Sequence, residues 1–244
     1  PEFDDSDWTE VTVPHDWAIS GPFDHNLPAN TGKLPWKGVG WYRKHFEMKP
    51  EYRNQQVYLI FDGVMAFPKV YLNGKFAGEW DYGYNSFYLN VTELINFSEK
   101  NVLAVCADTR EHDSRWYPGA GIYRSVHMLI VDPVHVEVWG TYITTPEINT
   151  EQAKVKIIST ICNHLAEDRS ITIENQILDS KGNMLSKNIA NQNISSRETI
   201  EVVQTLNLSN PEFWDVAHPV LYTMKTLIRS GNELRDINYT KFCV

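Results

Sequence analysis

The residues best suited to chemistry in this chain stand together in residues 115–124, a short stretch that contains two glycines and a proline. Glycine permits backbone angles that a Cβ would forbid, so the stretch predicts a tight loop that runs into a strand. Trp116 and Tyr117 add flat aromatic surfaces, and Arg115 adds a planar fork of hydrogen-bond donors. This combination suits a polar ligand with flat apolar faces, such as a sugar ring. The alternative is a hairpin whose aromatic residues pack inward, because buried aromatic side chains are common.

A second candidate is the pair of carboxylates at Glu111 and Asp113. On an extended strand, side chains two residues apart share a face and lie roughly 6.6 Å apart along the chain. Paired catalytic acids tolerate that separation. However, nothing nearby in the sequence would raise the pKa of either group, and residues 108–114 form a polar run typical of a solvated loop. We therefore predict that this pair does not catalyse a reaction on its own.

A long loop rich in Pro, Asn and Gly covers residues 26–36, and Trp36 and Lys37 at its end form a second candidate binding patch. Long loops held by a rigid scaffold often carry function. For both Trp36 and Trp116, the alternative to ligand binding is packing at a seam between domains. His15 and Asp16 have no serine or cysteine nucleophile beside them, and adjacent side chains on an extended chain point to opposite sides. We expect a structural role for both.

Composition limits the classes of partner. The 244 residues suffice for one large or two ordinary domains. A net charge of −9 argues against a nucleic-acid or anionic-membrane surface, since either needs a basic patch. The longest apolar run falls well short of the roughly 20 residues that span a bilayer. The three cysteines are widely spaced and match no metal or disulfide pattern, so we predict no metal and no cofactor.

The rest of the chain predicts strands rather than helices. Short apolar or alternating runs with turn signals between them are typical of a β-sandwich or jelly roll. In the first half they cover residues 41–48, 57–62, 69–72, 87–91, 102–108 and 123–131. Asp132-Pro133 marks a natural boundary, and about seven strands in the following 110 residues fit an immunoglobulin-like sandwich.

Six blocks in the first half resemble the N-terminal part of glycoside hydrolase family 2, which includes β-galactosidases, β-glucuronidases and β-mannosidases. The blocks occur in the family's order at residues 13–17, 38–44, 61–64 with 70–74, 83–87, 101–105 and 115–124. The resemblance implies an all-β chain with a jelly-roll, galactose-binding-like domain at residues 1–131, truncated at its N-terminus. An immunoglobulin-like sandwich at residues 132–244 follows, and the catalytic (β/α)8 barrel is absent.

The resemblance also implies what each part does. Family members are retaining glycosidases whose two catalytic glutamates lie in the barrel, so no residue here inherits those roles. Loops of the jelly roll help to shape the sugar subsite, which assigns substrate binding to Asp113, Arg115 and Trp116 and, on the preceding loop, to Trp36 and Lys37. In some galactosidases an acidic residue on this loop helps to hold the sugar, and Arg115 stands at that position. A guanidinium there suits the carboxylate of a uronic acid, which keeps a glucuronidase open.

We therefore predict the non-catalytic N-terminal fragment of a β-galactosidase-like enzyme, inactive by itself, whose parent hydrolyses O-glycosyl bonds in carbohydrate metabolism. Its partners would be the intramolecular catalytic barrel and, through the full-length enzyme, a β-galactoside-type carbohydrate. The alternatives are a fragment of a β-glucuronidase or β-mannosidase, or an autonomous carbohydrate-binding or adhesion module. The sequence leaves open the sugar, the oligomeric state, including homo-oligomers, and the compartment, whether cytoplasmic, periplasmic or secreted.

Overall fold

A computed structural model of the protein describes residues 3–244 and confirms the predicted all-β fold. The chain divides into two compact units, one ending at Ile130 and the other covering Val131–Val244. In the part of the chain that the structure describes, the helices are three 3-10 turns, Ala29–Thr31, Pro50–Tyr52 and Thr92–Leu94. None of the described helices is long and apolar enough to cross a membrane.

Seven strands are present in the part of the first unit that the structure describes. They are β1 (Val39–Phe46), β2 (Gln56–Phe61), β3 (Lys69–Leu72), β4 (Lys75–Glu79), β5 (Phe87–Asn90), β6 (Asn101–Asp108) and β7 (Val126–Val131). They form two sheets in the orders β1-β6-β3-β4 and β5-β2-β7. Every second residue of β2 faces the core, because Val57, Leu59 and Phe61 are all buried in one cluster. Phe61 stacks on Phe87 of the neighbouring strand with ring centroids 4.8 Å apart.

A hairpin turn at Asn73-Gly74 connects β3 and β4. Both turn residues have positive φ, 54° for Asn73 and 80° for Gly74, as expected of a two-residue hairpin whose twist matches its strands. The Asn73 side chain also donates to the carbonyl of Leu94 at 2.8 Å and to Oδ1 of Asn101 at 2.8 Å. The turn is therefore tied to neighbouring segments as well as to its own strands.

Seven strands also build the second unit. They are β8 (Val134–Ile148), β9 (Gln152–Asn163), β10 (Arg169–Leu178), β11 (Met184–Ile194), β12 (Thr199–Ser209), β13 (Tyr222–Ser230) and β14 (Glu233–Phe242). Their sheets have the orders β12-β9-β8 and β11-β10-β13-β14. Seven antiparallel strands in two sheets confirm the predicted immunoglobulin-like sandwich.

A layer of polar side chains divides the core of the second unit. Two apolar clusters lie along the strands, one containing Ile173 and the other Ile177. Between them on β10 stands Asn175, which is fully buried and donates to Oε1 of Gln204 at 2.8 Å. The Asn175 amide oxygen accepts from the hydroxyl of Thr226 at 2.6 Å. These buried amides meet their hydrogen-bonding needs within the layer, as buried polar groups must.

Candidate functional site

The strand register brings three loops to one end of the first unit. Val39 at the start of β1 pairs with Asp108 at the end of β6, and Lys69 at the start of β3 pairs with Glu79 at the end of β4. Lys69 also pairs with Cys106. These pairings bring three segments together at the same end of the strands. They are the segment that precedes β1, the segment that follows β4 and the segment that follows β6. Residues 26–37, 80–86 and 109–125 lie in these three loops.

Trp116 is the most prominent side chain of the loop after β6. It is 58% exposed, and its indole Nε1 donates a hydrogen bond to the hydroxyl of Tyr84 at 2.8 Å. The Trp116 backbone N–H donates to Oγ of Ser114 at 3.2 Å, and the carbonyl of Ser114 accepts from the amide of Asn30 at 3.1 Å. The loop is thus hydrogen-bonded to both neighbouring loops, residues 26–37 and residues 80–86. The bond to Tyr84 fixes the orientation of the exposed Trp116 indole.

A small cavity brings together three of the five residues assigned to substrate binding from the sequence. Its volume is about 280 Å³, and its lining includes Trp36, Lys37, Asp113 and Ser114. The Lys37 ammonium lies 3.6 Å from Oδ1 of Asp113, donates to the carbonyl of Arg110 at 3.3 Å, and stands 5.6 Å from the centre of the Trp36 ring. The cavity therefore pairs an aromatic edge with one positive and one negative group.

Trp36 contributes to this cavity mainly by packing. It is 3% exposed and contacts a small apolar cluster with Ala18 and Ala120, and Tyr117 packs against that cluster. Its backbone carbonyl accepts from the hydroxyl of Thr109 at 2.7 Å. The sequence left both ligand binding and packing open for Trp36. In the structure, packing covers nearly all of its surface, and this packing lies within the first unit.

Arg115 differs from its neighbours in having no partner. The side chain is exposed, and within residues 3–244 it makes no hydrogen bond and no ion pair. The guanidinium stands directly before Trp116 in the chain. Its five N–H donors are available to hydroxyls or to a carboxylate.

His15 and Asp16 support the loop, as expected from the sequence. Oδ1 of Asp16 accepts from the backbone N–H of Ala18 at 2.9 Å and from the hydroxyl of Tyr117 at 2.7 Å. Burial, together with this carboxylate, raises the pKa of Tyr117 well above its usual range. Nδ1 of His15 lies 2.9 Å from the hydroxyl of Tyr42, whose pKa burial raises to about 12. Both tyrosine hydroxyls therefore stay protonated and act as structural groups.

Two glycines make the predicted tight loop possible. Gly119 and Gly121 have φ of 91° and 112°, where side chains are strained. A Cβ on Gly121 would lie 2.0 Å from the hydroxyl oxygen of Tyr42. The backbone of the loop must therefore approach Tyr42 closely, and only glycine fits.

Glu111 and Asp113 are not arranged as a catalytic pair. Both are exposed in the loop after β6 rather than on a strand, and the Asp113 carboxylate faces Lys37. Among the residues described, no group of three or more His, Cys, Asp or Glu side chains could hold a metal ion. The described residues at this end of the unit offer aromatic faces, hydrogen-bond donors and ion pairs for binding.

Tyr82, Tyr84 and Tyr123 belong to the site but were not assigned a role from the sequence. The rings of Tyr82 and Tyr84 meet edge to face with centroids 5.5 Å apart, and the Tyr123 hydroxyl donates to the carbonyl of Gly83 at 2.9 Å. The resemblance of residues 83–87 to a family block was the one available signal. It did not show that this loop holds Trp116.

Comparison with known proteins places this arrangement in a family. The family model for the glycosyl hydrolase 2 galactose-binding domain-like region matches residues 18–116, and the model for glycosyl hydrolases family 2 matches residues 134–243. This chain belongs to glycosyl hydrolase family 2. The resemblance seen in the sequence is thereby confirmed, and the matches extend through the second unit of the family 2 chain.

Relatives of the family 2 chain are longer proteins. A β-galactosidase of Bacteroides ovatus is 36% identical over 239 residues, which are 97% of this chain and 28% of that protein. A β-glucuronidase of Formosa agariphila is 28% identical over 96% of this chain and 26% of that protein. A solved family 2 structure from Bacteroides cellulosilyticus superimposes with a TM-score of 0.95 at 28% identity and covers all of this chain and 32% of that one. The chain thus spans about a third or less of these relatives.

Proposed function

We propose that this family 2 chain supplies two non-catalytic β-sandwich domains to a β-galactosidase-like glycoside hydrolase. Residues 1–131 would be the jelly-roll domain and residues 132–244 the immunoglobulin-like domain. The loop of residues 113–117 would line part of the sugar subsite. The observation that carries the proposal is the exposed indole of Trp116, which Tyr84 holds in the same loop whose residues Asp113 and Ser114 line a cavity with Lys37.

The chemistry of the three loops fits a sugar. One face of a pyranose ring carries C–H groups that pack on an aromatic ring, while its edge carries hydroxyls that need donors and acceptors. Trp116 supplies the aromatic face, and the Lys37–Asp113 pair supplies both a donor and an acceptor. Binding sites commonly combine apolar surface with a few placed polar groups in this way.

The carboxylates of this chain indicate that catalysis belongs to another domain of the proposed enzyme. A retaining glycosidase needs two carboxyl groups about 5–5.5 Å apart, one of them kept protonated at neutral pH. Glu111 and Asp113 lie in an exposed loop, where Asp113 is engaged with Lys37. We therefore place the acid/base and the nucleophile in a barrel outside residues 1–244, against which this chain would act as scaffold. The greater length of the relatives supports this placement.

A β-glucuronidase is the second candidate, and Arg115 is the observation that favours it. The guanidinium is exposed and without a partner in the described part of the chain. Beside the indole of Trp116, it could bind the carboxylate of a uronic acid in a bidentate manner. Relatives named β-glucuronidase are similar to this chain along most of its length.

The test is kinetic and uses the longer enzyme that contains these residues. Trp116→Ala should raise KM for an aryl β-galactoside about tenfold, a loss of about 1.4 kcal/mol, and Tyr142→Ala, an equally exposed aromatic residue of the second unit, should change nothing. Arg115→Ala should leave the galactoside kinetics nearly unchanged. A large loss confined to an aryl β-glucuronide would select the second candidate. Wild-type kinetics from Trp116→Ala on both substrates would contradict the subsite role.

A further inference from the structure

The outer face of the sheet β1-β6-β3-β4 carries a group of aromatic side chains that the candidate site does not use. Trp41 on β1 is 48% exposed and Phe76 on β4 is 54% exposed. The centre of the Tyr71 ring on β3 lies 6.0 Å from that of Trp41 and 5.5 Å from that of Phe76. Contiguous aromatic exposure of this kind on a folded domain usually marks a binding surface.

The strand register shapes this surface into a groove. Cys106 and Ala104 of the central strand β6 stand opposite Trp41 and Tyr71 respectively. Because β6 presents only small residues here, with Val102 next in the row, the floor is low and the aromatic residues on the flanking strands form walls. The resulting groove has a volume of about 440 Å³, and Phe3, Trp8 and Arg43 also line it.

A second groove lies on the other side of Trp41. Its volume is about 540 Å³, and its lining is more polar, with Lys69, Asp108, Arg110 and Glu111. Asp108 and Arg110 form an ion pair at 2.7 Å. The side chains of Lys69 and Glu111 make no hydrogen bond and no salt bridge within residues 3–244, but they act electrostatically on Asp108 and Arg110, respectively. Trp41 therefore stands between an apolar groove and a groove lined by charged side chains of both signs.

We propose that this face binds a neutral glycan chain that lies across Trp41. Sugar rings present C–H faces to aromatic walls and hydroxyls to charged groups, and the two grooves offer these features side by side. Two further observations separate a glycan from other occupants. The chain's net charge of −9 opposes an acidic polymer, and both signs of charge border the second groove. A second protein needs roughly 800 Å² of matching surface per partner, whereas Trp41 divides the apolar area here into separate concave parts.

This surface can be tested apart from the candidate site. Trp41 and Tyr71 lie within strands of the sheet, while Trp116 lies in the loop after β6. Substitutions on the face can therefore be compared with substitutions in the loop. Trp41 is also half-exposed and outside the core of the first unit, so its truncation should leave the fold intact.

The experiment is affinity gel electrophoresis of the 244-residue chain through gels that contain galactan, xylan or glucomannan, with polygalacturonate as the acidic counterpart. We expect at least one neutral polysaccharide to retard the wild-type chain. Trp41→Ala should weaken that retardation about tenfold, the equivalent of 1.4 kcal/mol, and Tyr71→Ala should weaken it by a smaller factor. Tyr142→Ala should leave it unchanged, with circular dichroism confirming that each variant is folded.

Three outcomes would overturn the proposal. The first is no retardation by any of the three neutral polysaccharides. The second is retardation that Trp41→Ala does not change, or that only polygalacturonate produces. The third is a dimer in sedimentation experiments that Trp41→Ala abolishes and the polysaccharides do not affect, which would assign the face to a second copy of the chain.

Discussion

The indole nitrogen of Trp116 and the hydroxyl of Tyr84 are joined by a 2.8 Å hydrogen bond that connects the loop after β6 to the loop after β4. Trp116 is largely exposed, so little packing restrains its ring. The bond to Tyr84 is the contact that orients the indole, and Tyr84 is therefore a positioning residue for the proposed subsite.

Tyr84→Phe removes this hydrogen bond and keeps the aromatic ring. A neutral hydrogen bond contributes about 0.5–1.5 kcal/mol net, so KM for an aryl β-galactoside should rise about 2- to 12-fold in the longer enzyme. The value of kcat should stay near that of the wild type, because Tyr84 acts only through Trp116. Steady-state kinetics check this, with Tyr82→Phe as the control. A fall in kcat at unchanged KM would show that the contact does something other than position the indole.

Gly121→Ala should strongly destabilise the first unit. The new Cβ would meet the Tyr42 hydroxyl at 2.0 Å, and φ is 112°. Overpacking together with strain at positive φ predicts a loss of about 3 kcal/mol or more in the free energy of unfolding. Gly182→Ala is the matched control, because φ is 86° there but no atom lies within 4 Å of the added carbon. It should cost only about 1–2 kcal/mol. Equal losses in urea unfolding would show that Tyr42 moves aside.

The stability of the second unit should fall in acid because of His135. Burial, and then the neighbouring His164, lowers the pKa of His135 from 6.5 to about 4. Between pH 6.5 and about 4, His135 is protonated in the unfolded chain but not in the folded chain. The free energy of unfolding is therefore highest above pH 6.5 and decreases as the pH falls through this range. At about 1.36 kcal/mol per pKa unit, the loss approaches about 3 kcal/mol.

His135→Gln should flatten this pH dependence in urea unfolding followed from pH 7 to pH 4. His218→Gln is the control, since that imidazole is exposed. The pKa of the half-buried Asp236 is raised, which acts in the opposite direction because the folded chain takes up a proton there more readily than the unfolded chain as the pH falls. The comparison of variants, rather than the wild-type slope alone, therefore isolates His135. A slope unchanged in His135→Gln would contradict the assignment.

The fold could be predicted from sequence wherever a strand has a buried face. In β2, the apolar residues Val57, Leu59 and Phe61 occur at every second position, and this pattern identifies the face of the strand that packs in the core. The sequence predicts no separate strand for β4, β11 or β14, and each of the three lies at an edge of its sheet. Their residues are mostly exposed or half-buried, so their sequences carry no strong apolar period. The pairing that makes them strands is supplied by their neighbours.

The candidate site could be predicted only in part. Trp116 and Arg115 stand in one motif, and both prove exposed. The contacts of Lys37 with Asp113 and of Trp116 with Tyr84 join residues far apart in the chain, and only the sheet register brings them together. For Trp36, the residue type alone could not distinguish ligand binding from packing. An indole suits either role, and in the structure Trp36 packs in an apolar cluster.

The most direct test of the account is an activity assay of the purified 244-residue chain on aryl β-galactosides and β-glucuronides, beside the longer enzyme. We expect turnover by the proposed longer enzyme and none by the chain, because the exposed carboxylates of Glu111 and Asp113 are not arranged as an acid/base and a nucleophile. Turnover by the chain that survives purification and is lost in Glu111→Gln or Asp113→Asn would contradict it.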